Sequence, residues 1–311
     1  MPYKSSEGRS GGKLVKSNLS INIGGFLLKS VANQEYFYGP GTETSLVVSP
    51  GIKNIVIAGV APGRPGTLQS GTSPGPGGGG GAGNVTGYTI NAAPLWDQTI
   101  YIKVPELPGN PAPGSGGPVY VRTGSHSGTS LWEAGAGGPG RDAGVMIAGS
   151  GNSGGAGGQG SPSPGSSVTG AGAGGGAGGA HLGPNGGRGG SGGTTSVPSY
   201  LQPLNAGPAT PWTMSGSPGG SFGPTQSQPG QPAPYNGAQG GRAGNPWPNY
   251  NGGGGGGGGG VVLYYNGMYQ NYGGGGGGTG SPHGSGTHSA PPTVQERGAG
   301  GFIIVQLVKH T

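Results

Sequence analysis

The chain has 311 residues, of which 85 are glycine and 31 are proline. Only 29% of the residues are hydrophobic and 7% are charged, too few apolar residues for a conventional core of this length and too few charges for a typical solvated, disordered chain. There is no cysteine, which excludes a disulfide framework, a thiolate metal site and a cysteine nucleophile. This composition argues against an ordinary enzyme domain.

The positive net charge is unevenly distributed. Lysine and arginine number 14 against 8 aspartate and glutamate residues, which gives a formal charge of +6. Between residues 143 and 295 there is no carboxylate side chain, and the only fixed cations are Arg188 and Arg242. A protein that binds nucleic acid needs clustered lysine and arginine side chains, so we expect no nucleic-acid partner.

The amino-terminal segment shows no targeting signal. Met1 and Pro2 lead into polar residues without an apolar core, and no apolar run approaches the roughly twenty residues of a membrane-spanning helix. We therefore expect a chain that has no signal peptide and no transmembrane segment and is made in a cytoplasm.

Short β-strands are predicted before the main glycine tracts and at the end of the chain. Runs rich in Ile, Val, Leu and Tyr, bounded by Gly, Pro or Asn, indicate strands at residues 19–23, 26–29, 36–38, 45–48, 54–60, 86–90, 99–104 and 119–122. Pro50 and Gly51 mark a turn between two of these strands. The apolar run 302–308 predicts a closing strand that is buried on both faces.

From about residue 134 the chain consists of glycine tracts separated by inserts. The tracts are residues 134–160, 170–193, 252–260 and 273–280. They lack the strict glycine at every third position that collagen requires, which leaves a flexible linker or a bundle of extended three-fold helices. In such a bundle, each backbone N–H and C=O must find its partner on a neighbouring segment.

Two inserts interrupt the tracts. The insert 194–251 is rich in Pro, Gln, Asn and Ser, and the insert 261–272 is a hairpin candidate with Asn266 and Gly267 at the turn. The predicted fold is therefore a mainly β amino-terminal module, residues 1–130, followed by a polyglycine-II scaffold, residues 131–311. We expect long loops and essentially no α-helix.

No catalytic constellation is visible in the sequence. The acidic residues are scattered, and no Gly-Lys-Ser/Thr motif follows a glycine run, so we expect neither an enzyme nor a cofactor. His283 and His288 lie five residues apart, a spacing that a metal ion could use. No cysteine or carboxylate lies near them, so we expect solvent-exposed loop histidines rather than a metal site.

The aromatic residues of the inserts are the candidate binding residues, because Tyr and Trp offer large, rigid contact surfaces. They are Trp212, Tyr235, Trp247, Tyr250, Tyr264, Tyr265, Tyr269 and Tyr272. Three interpretations remain open: the aromatic rings cap the ends of the glycine helices, contact a ligand or receptor, or form an interface in a homo-oligomer. Neutral loops rich in Asn, Gln and Ser suit a sugar or a loop of an outer-membrane protein.

The order of these segments resembles the glycine-rich proteins of tailed bacteriophages. The nearest family is the tip adhesin of T-even-type long tail fibres, whose glycine-rich motifs form a polyglycine II sandwich with distal receptor-binding loops. The matching tracts are 170–193, 252–260 and 273–280, and the inserts 194–251 and 261–272 match the loops. This chain departs from the family in its greater length and in the proline content of its largest insert.

The resemblance implies a bacteriophage virion protein, made in the host cytoplasm, that acts as a tail-fibre or fibre-tip adhesin. Residues 1–130 would attach it to other virion proteins, and the aromatic loops would bind a bacterial surface receptor, either an outer-membrane protein or a glycan. The alternative is a capsid or tail decoration protein with a purely structural role. An ice-binding protein is disfavoured because the inserts interrupt any regular glycine repeat.

Overall fold

The computed structural model describes residues 12–15, 18–23, 26–31, 34–66, 82–106, 117–136, 212–220, 231–235, 237, 258–265, 267–276 and 297–309. Within these ranges the regular elements are β-strands and one 3-10 turn, Ala93–Leu95, without an α-helix. The predicted mainly β class is confirmed. Of the predicted glycine tracts, only residues 134–136, 258–260 and 273–276 are described, so the polyglycine-II bundle stays a prediction.

Fourteen strands make up this structure. In chain order they are β1 Gly12–Val15, β2 Asn18–Ile23, β3 Phe26–Val31, β4 Gln34–Tyr38, β5 Thr42–Val47, β6 Ile52–Val60, β7 Val85–Asn91, β8 Thr99–Val104, β9 Val119–Thr123, β10 Thr129–Ala134, β11 Thr213–Gly216, β12 Val261–Tyr265, β13 Met268–Tyr272 and β14 Phe302–Lys309. Each strand predicted from the sequence coincides with one of them. Strands β1, β10 and β11 were not predicted. No helix in the described ranges is long and apolar enough to cross a membrane.

A five-stranded antiparallel sheet lies at the centre, with the strand order β1-β4-β14-β6-β7. The closing strand β14 pairs with β4 along one edge and with β6 along the other. Its residues alternate between the two faces, with Ile303, Val305 and Leu307 in one core and Phe302 and Ile304 in another. The prediction that this strand is buried on both faces is confirmed.

The first core lies between the central sheet and a four-stranded sheet of order β10-β9-β8-β5. Strand β8 shows why the sequence forms this layer: Ile100, Ile102 and Val104 are buried, while the intervening Tyr101 and Lys103 are half-buried. That alternation is typical of a strand with one face in a core. Trp132, almost completely buried, fills the same core from β10.

The second core joins a three-stranded sheet, β11-β12-β13, to the opposite face of the central sheet. Phe302 and Ile304 of β14 meet Leu263 and Tyr265 of β12 in this layer. The hairpin 261–272 and the closing strand are therefore packed with the amino-terminal strands. The predicted division into residues 1–130 and 131–311 stays a prediction.

Five glycine-containing segments meet where the hairpin joins the central sheet, and we call them the glycine junction. They are residues 61–64, 82–84, 258–260, 273–276 and 297–301. The segment 273–276 exchanges backbone hydrogen bonds with all four others. These bonds are Gly273 N to Gly300 O (2.8 Å), Gly83 N to Gly273 O (2.7 Å), Ala299 N to Gly274 O (2.7 Å), Gly258 N to Gly275 O (2.6 Å) and Gly276 N to Arg64 O (2.8 Å). A strand within a flat sheet has two bonded neighbours, whereas this segment has four.

The absence of side chains is what permits this packing. A Cβ atom on Gly63 would collide with the carbonyl group of Gly274, and one on Gly298 would collide with that of Gly63. Backbone atoms cannot move aside as the end of a flexible side chain can. Glycine at these positions is therefore a steric requirement of the junction.

We expect Gly63→Ala to destabilise the full chain by about 1–3 kcal/mol, the usual cost of forcing extra volume into a packed site. The matched control is Gly117→Ala, because a Cβ there meets nothing within 4 Å. This control should change stability by no more than about 1 kcal/mol. Urea unfolding followed by circular dichroism measures both, and equal midpoints for the two variants would contradict the steric account.

Candidate functional site

The hairpin β12-β13 brings two tyrosines side by side. Its turn contains Gly267 at a φ of +81°, in the left-handed region that favours glycine, which fits the turn predicted at this position. Tyr264 pairs directly with Tyr269 across the two strands. Because directly paired residues share a face of the sheet, both lie on the outer face, opposite to Leu263 and Tyr265 in the second core.

A third tyrosine comes from the other insert. The ring centre of Tyr235 lies 5.6 Å from that of Tyr269, with the rings stacked, and the ring centres of Tyr264 and Tyr269 lie 4.7 Å apart. Tyr269 is 58% exposed, Tyr235 is 54% exposed and Tyr264 is half-buried. We call Tyr235, Tyr264 and Tyr269 the tyrosine platform.

Asn271 fixes Tyr235 to the hairpin. This residue is 2% exposed, and its backbone N–H donates to the carbonyl oxygen of Tyr235 over 2.9 Å. Its side-chain Nδ2 donates to the carbonyl oxygen of Pro234 (3.1 Å) and to Oγ of Ser217 (2.9 Å). Asn271 thereby joins three parts of the chain beneath the platform.

The backbone of Tyr235 is strained. Its φ of +55° lies in the left-handed region, which costs a non-glycine residue about 1 kcal/mol or more. The hydrogen bonds from Asn271 hold the segment in place against this cost. Strain of this kind is concentrated at functional sites, and here it positions an exposed ring against Tyr269.

A buried carboxyl group lies on the inner side of the three-stranded sheet. Glu35 of β4 is 1% exposed and accepts a hydrogen bond from Nε2 of Gln306 on β14 over 2.5 Å. Burial raises the pKa of Glu35, because desolvation disfavours the charged form. The hydrogen bond from Gln306 and the nearby polar groups of Tyr265 and Trp212 lower the pKa without overcoming the effect of burial.

Three of the predicted contact residues are core residues. Trp212, Tyr265 and Tyr272 are buried in the second core, so they are not available to a receptor. Burial raises the pKa of the Tyr272 phenol to about 12. Their predicted role in receptor contact is therefore corrected: their rings pack in the second core, between the three-stranded sheet and the central sheet.

The other predicted site residues divide into two groups. Tyr235, Tyr264 and Tyr269 are brought together in the platform. Trp247, Tyr250, His283 and His288 lie outside the described residues. Asn271 was not among the predicted site residues, because its role depends on the carbonyl groups of a segment far away in the chain. In the structure it lies opposite Val262, on the same face as Tyr269.

A second polar cluster covers the outer face of the four-stranded sheet. Lys103 pairs with Glu43 (2.8 Å), and Arg122 pairs with Glu133 (3.1 Å) and lies over the ring of Tyr120. The hydrogen bond from Lys103 lowers the pKa of Glu43. These charges are paired with one another within the sheet. We therefore interpret the cluster as a solvated sheet surface and not as a ligand site.

The described residues include no group of three or more His, Asp or Glu side chains arranged to hold a metal ion. Comparison of the chain with protein-family models, curated proteins and solved structures finds no match. The tyrosine platform is therefore identified as the candidate site from its geometry alone.

We expect Glu35→Gln to stabilise the protein at neutral pH. Since the pKa of Glu35 is raised by folding, its contribution to stability is fully present at acid pH and is lost as the pH rises through the folded-state value. Glutamine keeps the hydrogen bond to Gln306 but cannot ionise.

Thermal unfolding at about pH 4 and about pH 8 tests this linkage. The gain in melting temperature should be larger at the higher pH. The same substitution at the exposed Glu106 is the control and should show no such difference. A gain of Glu35→Gln that is equal at both pH values would contradict the account.

Proposed function

We propose that this chain is a virion protein of a tailed bacteriophage and acts as a tail-fibre tip adhesin. In this role the tyrosine platform contacts a receptor on the bacterial surface. The observation that carries the proposal is the platform itself: the exposed rings of Tyr235 and Tyr269 are stacked, Tyr264 lies beside them, and the buried Asn271 holds the backbone of Tyr235. The segment order of the chain, with its resemblance to the tip adhesins, supplies the biological setting.

The energetics of recognition favour such a surface. Tyrosine is enriched at binding hot spots because its ring buries a large area at a low cost in conformational entropy. A ring that is already held in place loses less freedom on binding than a mobile one. Tyr235 is held in this way by the hydrogen bonds of Asn271.

The position of the platform also supports the proposal. The platform hairpin begins directly after Gly260 and ends directly before Gly273, and both glycines belong to the glycine junction. The inner face of the hairpin is anchored in the second core, and its outer face carries the platform. Receptor-binding residues commonly lie on loops that a rigid scaffold positions, and this hairpin is such a loop.

The β-rich part of the chain is proposed to attach the adhesin to other virion proteins. Its four-stranded sheet packs on one face of the central sheet, and the three-stranded sheet that carries the platform packs on the other face. Localisation in the virion follows from the same proposal. A decoration protein of the capsid or tail would share the fold but would have no use for an exposed aromatic platform.

Binding of the labelled full chain to a panel of bacterial strains, measured by flow cytometry, tests the proposal. On strains that bind the protein, Tyr269→Ala and Tyr235→Ala should each weaken binding by at least about tenfold, as expected for hot-spot residues. The matched control is Tyr88→Ala, because Tyr88 is an exposed tyrosine of β7 in the central sheet.

Circular dichroism should show that the three variants remain folded. Equal binding by the wild-type protein and both platform variants would contradict the platform as the contact site. Density for the chain on the capsid lattice of the intact particle, rather than at a fibre tip, would contradict the adhesin role.

A further inference from the structure

We infer that the ligand of the tyrosine platform is an uncharged glycan. The inference rests on the proposed function and specifies the class of receptor that this site takes. Three features of the site lead to it: the side chains that share the platform face, the lack of charge in this part of the chain, and the arrangement of the rings.

The exposed side chains of the platform face are aromatic or hydroxylic. Thr213 of β11 pairs with Tyr264, so Thr213, Tyr264 and Tyr269 form one row across the three strands. Ser215 lies two residues further along the same face and is exposed, as is Thr213. Val262, on the same face, is buried.

Tyrosine-rich surfaces bind proteins as well as sugars, so the aliphatic side chains beside the rings distinguish the two classes of receptor. The buried centre of a protein–protein interface is apolar and needs a partner surface to pack against. Met268 is the most exposed apolar side chain of the hairpin, but it pairs with Tyr265 and therefore lies on the opposite face. On the described residues of the three strands, the outer face presents rings and hydroxyl groups without an exposed aliphatic side chain, and in the segment that carries Tyr235 the exposed aliphatic groups are the rings of Pro232 and Pro234.

Charge argues against an anionic ligand. Both inserts belong to the stretch 143–295, which has no carboxylate side chain and only two arginines. The charged groups of a phosphorylated or carboxylated glycan would lose their hydration on binding, and few cationic side chains are present in this stretch to compensate for that loss. A neutral ligand incurs no such penalty at a neutral surface.

The ring arrangement suits a sugar. A pyranose presents a patch of C–H groups on its face and hydroxyl groups around its edge. The face of an aromatic ring carries negative charge density that attracts C–H groups, and the phenol hydroxyl can exchange hydrogen bonds at the edge. The ring centre of Tyr269 lies 4.7 Å from that of Tyr264 and 5.6 Å from that of Tyr235, and Tyr235 and Tyr269 are each more than half exposed, so neighbouring rings are available to a sugar.

The test measures binding of the full chain to immobilised, protein-free polysaccharides by biolayer interferometry. The probes are uncharged O-polysaccharides extracted from strains that bind the protein, with dextran and dextran sulfate as a neutral and an anionic reference. We expect binding to an uncharged O-polysaccharide that changes by less than about twofold between about 0.05 and about 0.5 M NaCl, since no charges are screened. Binding that is confined to anionic probes, or that collapses with salt, would overturn the inference.

Variants at one position separate stacking from a general loss of structure. Tyr269→Ala should weaken binding to the polysaccharide by at least about tenfold, whereas Tyr269→Phe keeps the aromatic face and should stay within about threefold. Tyr88→Ala should bind as the wild-type protein does. If Tyr269→Ala and Tyr269→Phe bind equally well, the platform is not where the glycan stacks.

Treating the cells distinguishes this inference from the adhesin proposal. Mild periodate oxidation of surface glycans should abolish cell binding, and protease treatment should spare it. If protease abolishes the binding and periodate spares it, the adhesin proposal stands and the glycan inference fails. If the protein binds the polysaccharides but the chain lies on the capsid lattice, the glycan inference stands and the adhesin proposal fails.

Discussion

The described structure depends on one strand that has no free side. Strand β14 is hydrogen-bonded to β4 and β6 at its two edges, and its alternating residues enter the two cores above and below. The four-stranded sheet and the three-stranded sheet are therefore held together through a segment from the end of the chain. Since β14 joins strands that are distant in sequence, this architecture has few local contacts, a feature associated with slow folding.

The glycine junction allows several backbone segments to pack closely at the start of β14. Five backbone segments must converge at the start of β14, and each brings N–H and C=O groups that cannot be left unpaired. Side chains would keep the segments apart, as the collisions at Gly63, Gly83 and Gly298 show. Glycine loses more backbone entropy on ordering than other residues, and the bonds between segments offset that loss. The abundance of glycine thus has a structural basis where the structure describes it.

The strands were predictable because their side chains carry a local signal. Alternation in β8 and continuous apolar character in β14 each correspond to the burial that is observed. Of the strands that were not predicted, β11 lacks such a signal, since it reads Thr-Met-Ser-Gly, with one apolar residue and a terminal glycine. It is a strand because Met214 and Trp212 complete the second core, which is a property of the tertiary structure.

The site was only partly predictable, for a related reason. Val261 to Tyr265 is continuously apolar, so the sequence does not reveal whether Tyr264 or Tyr265 faces outward, and a shift of one residue would exchange them. The pairing of Tyr235 with Tyr269 depends on hydrogen bonds from Asn271 to a segment in another insert. Neither the register of the hairpin nor the contact between Asn271 and the segment of Tyr235 produces a periodic pattern in the sequence.

Alternation along the hairpin separates stability from recognition. Leu263 and Tyr265 of β12 and Tyr272 of β13 enter the second core, whereas Tyr264 of β12 and Tyr269 of β13 lie on the opposite, outer face. The outward residues can vary without cost to the core, so one scaffold can present different rings to different ligands. Val262 and Asn271 pair with each other on the outer face and yet are buried, and of the two only Asn271 is hydrogen-bonded to the segment of Tyr235. Variation at Asn271 would therefore alter the position of Tyr235 and the packing beneath it together, which makes this residue the link between the scaffold and the surface it presents.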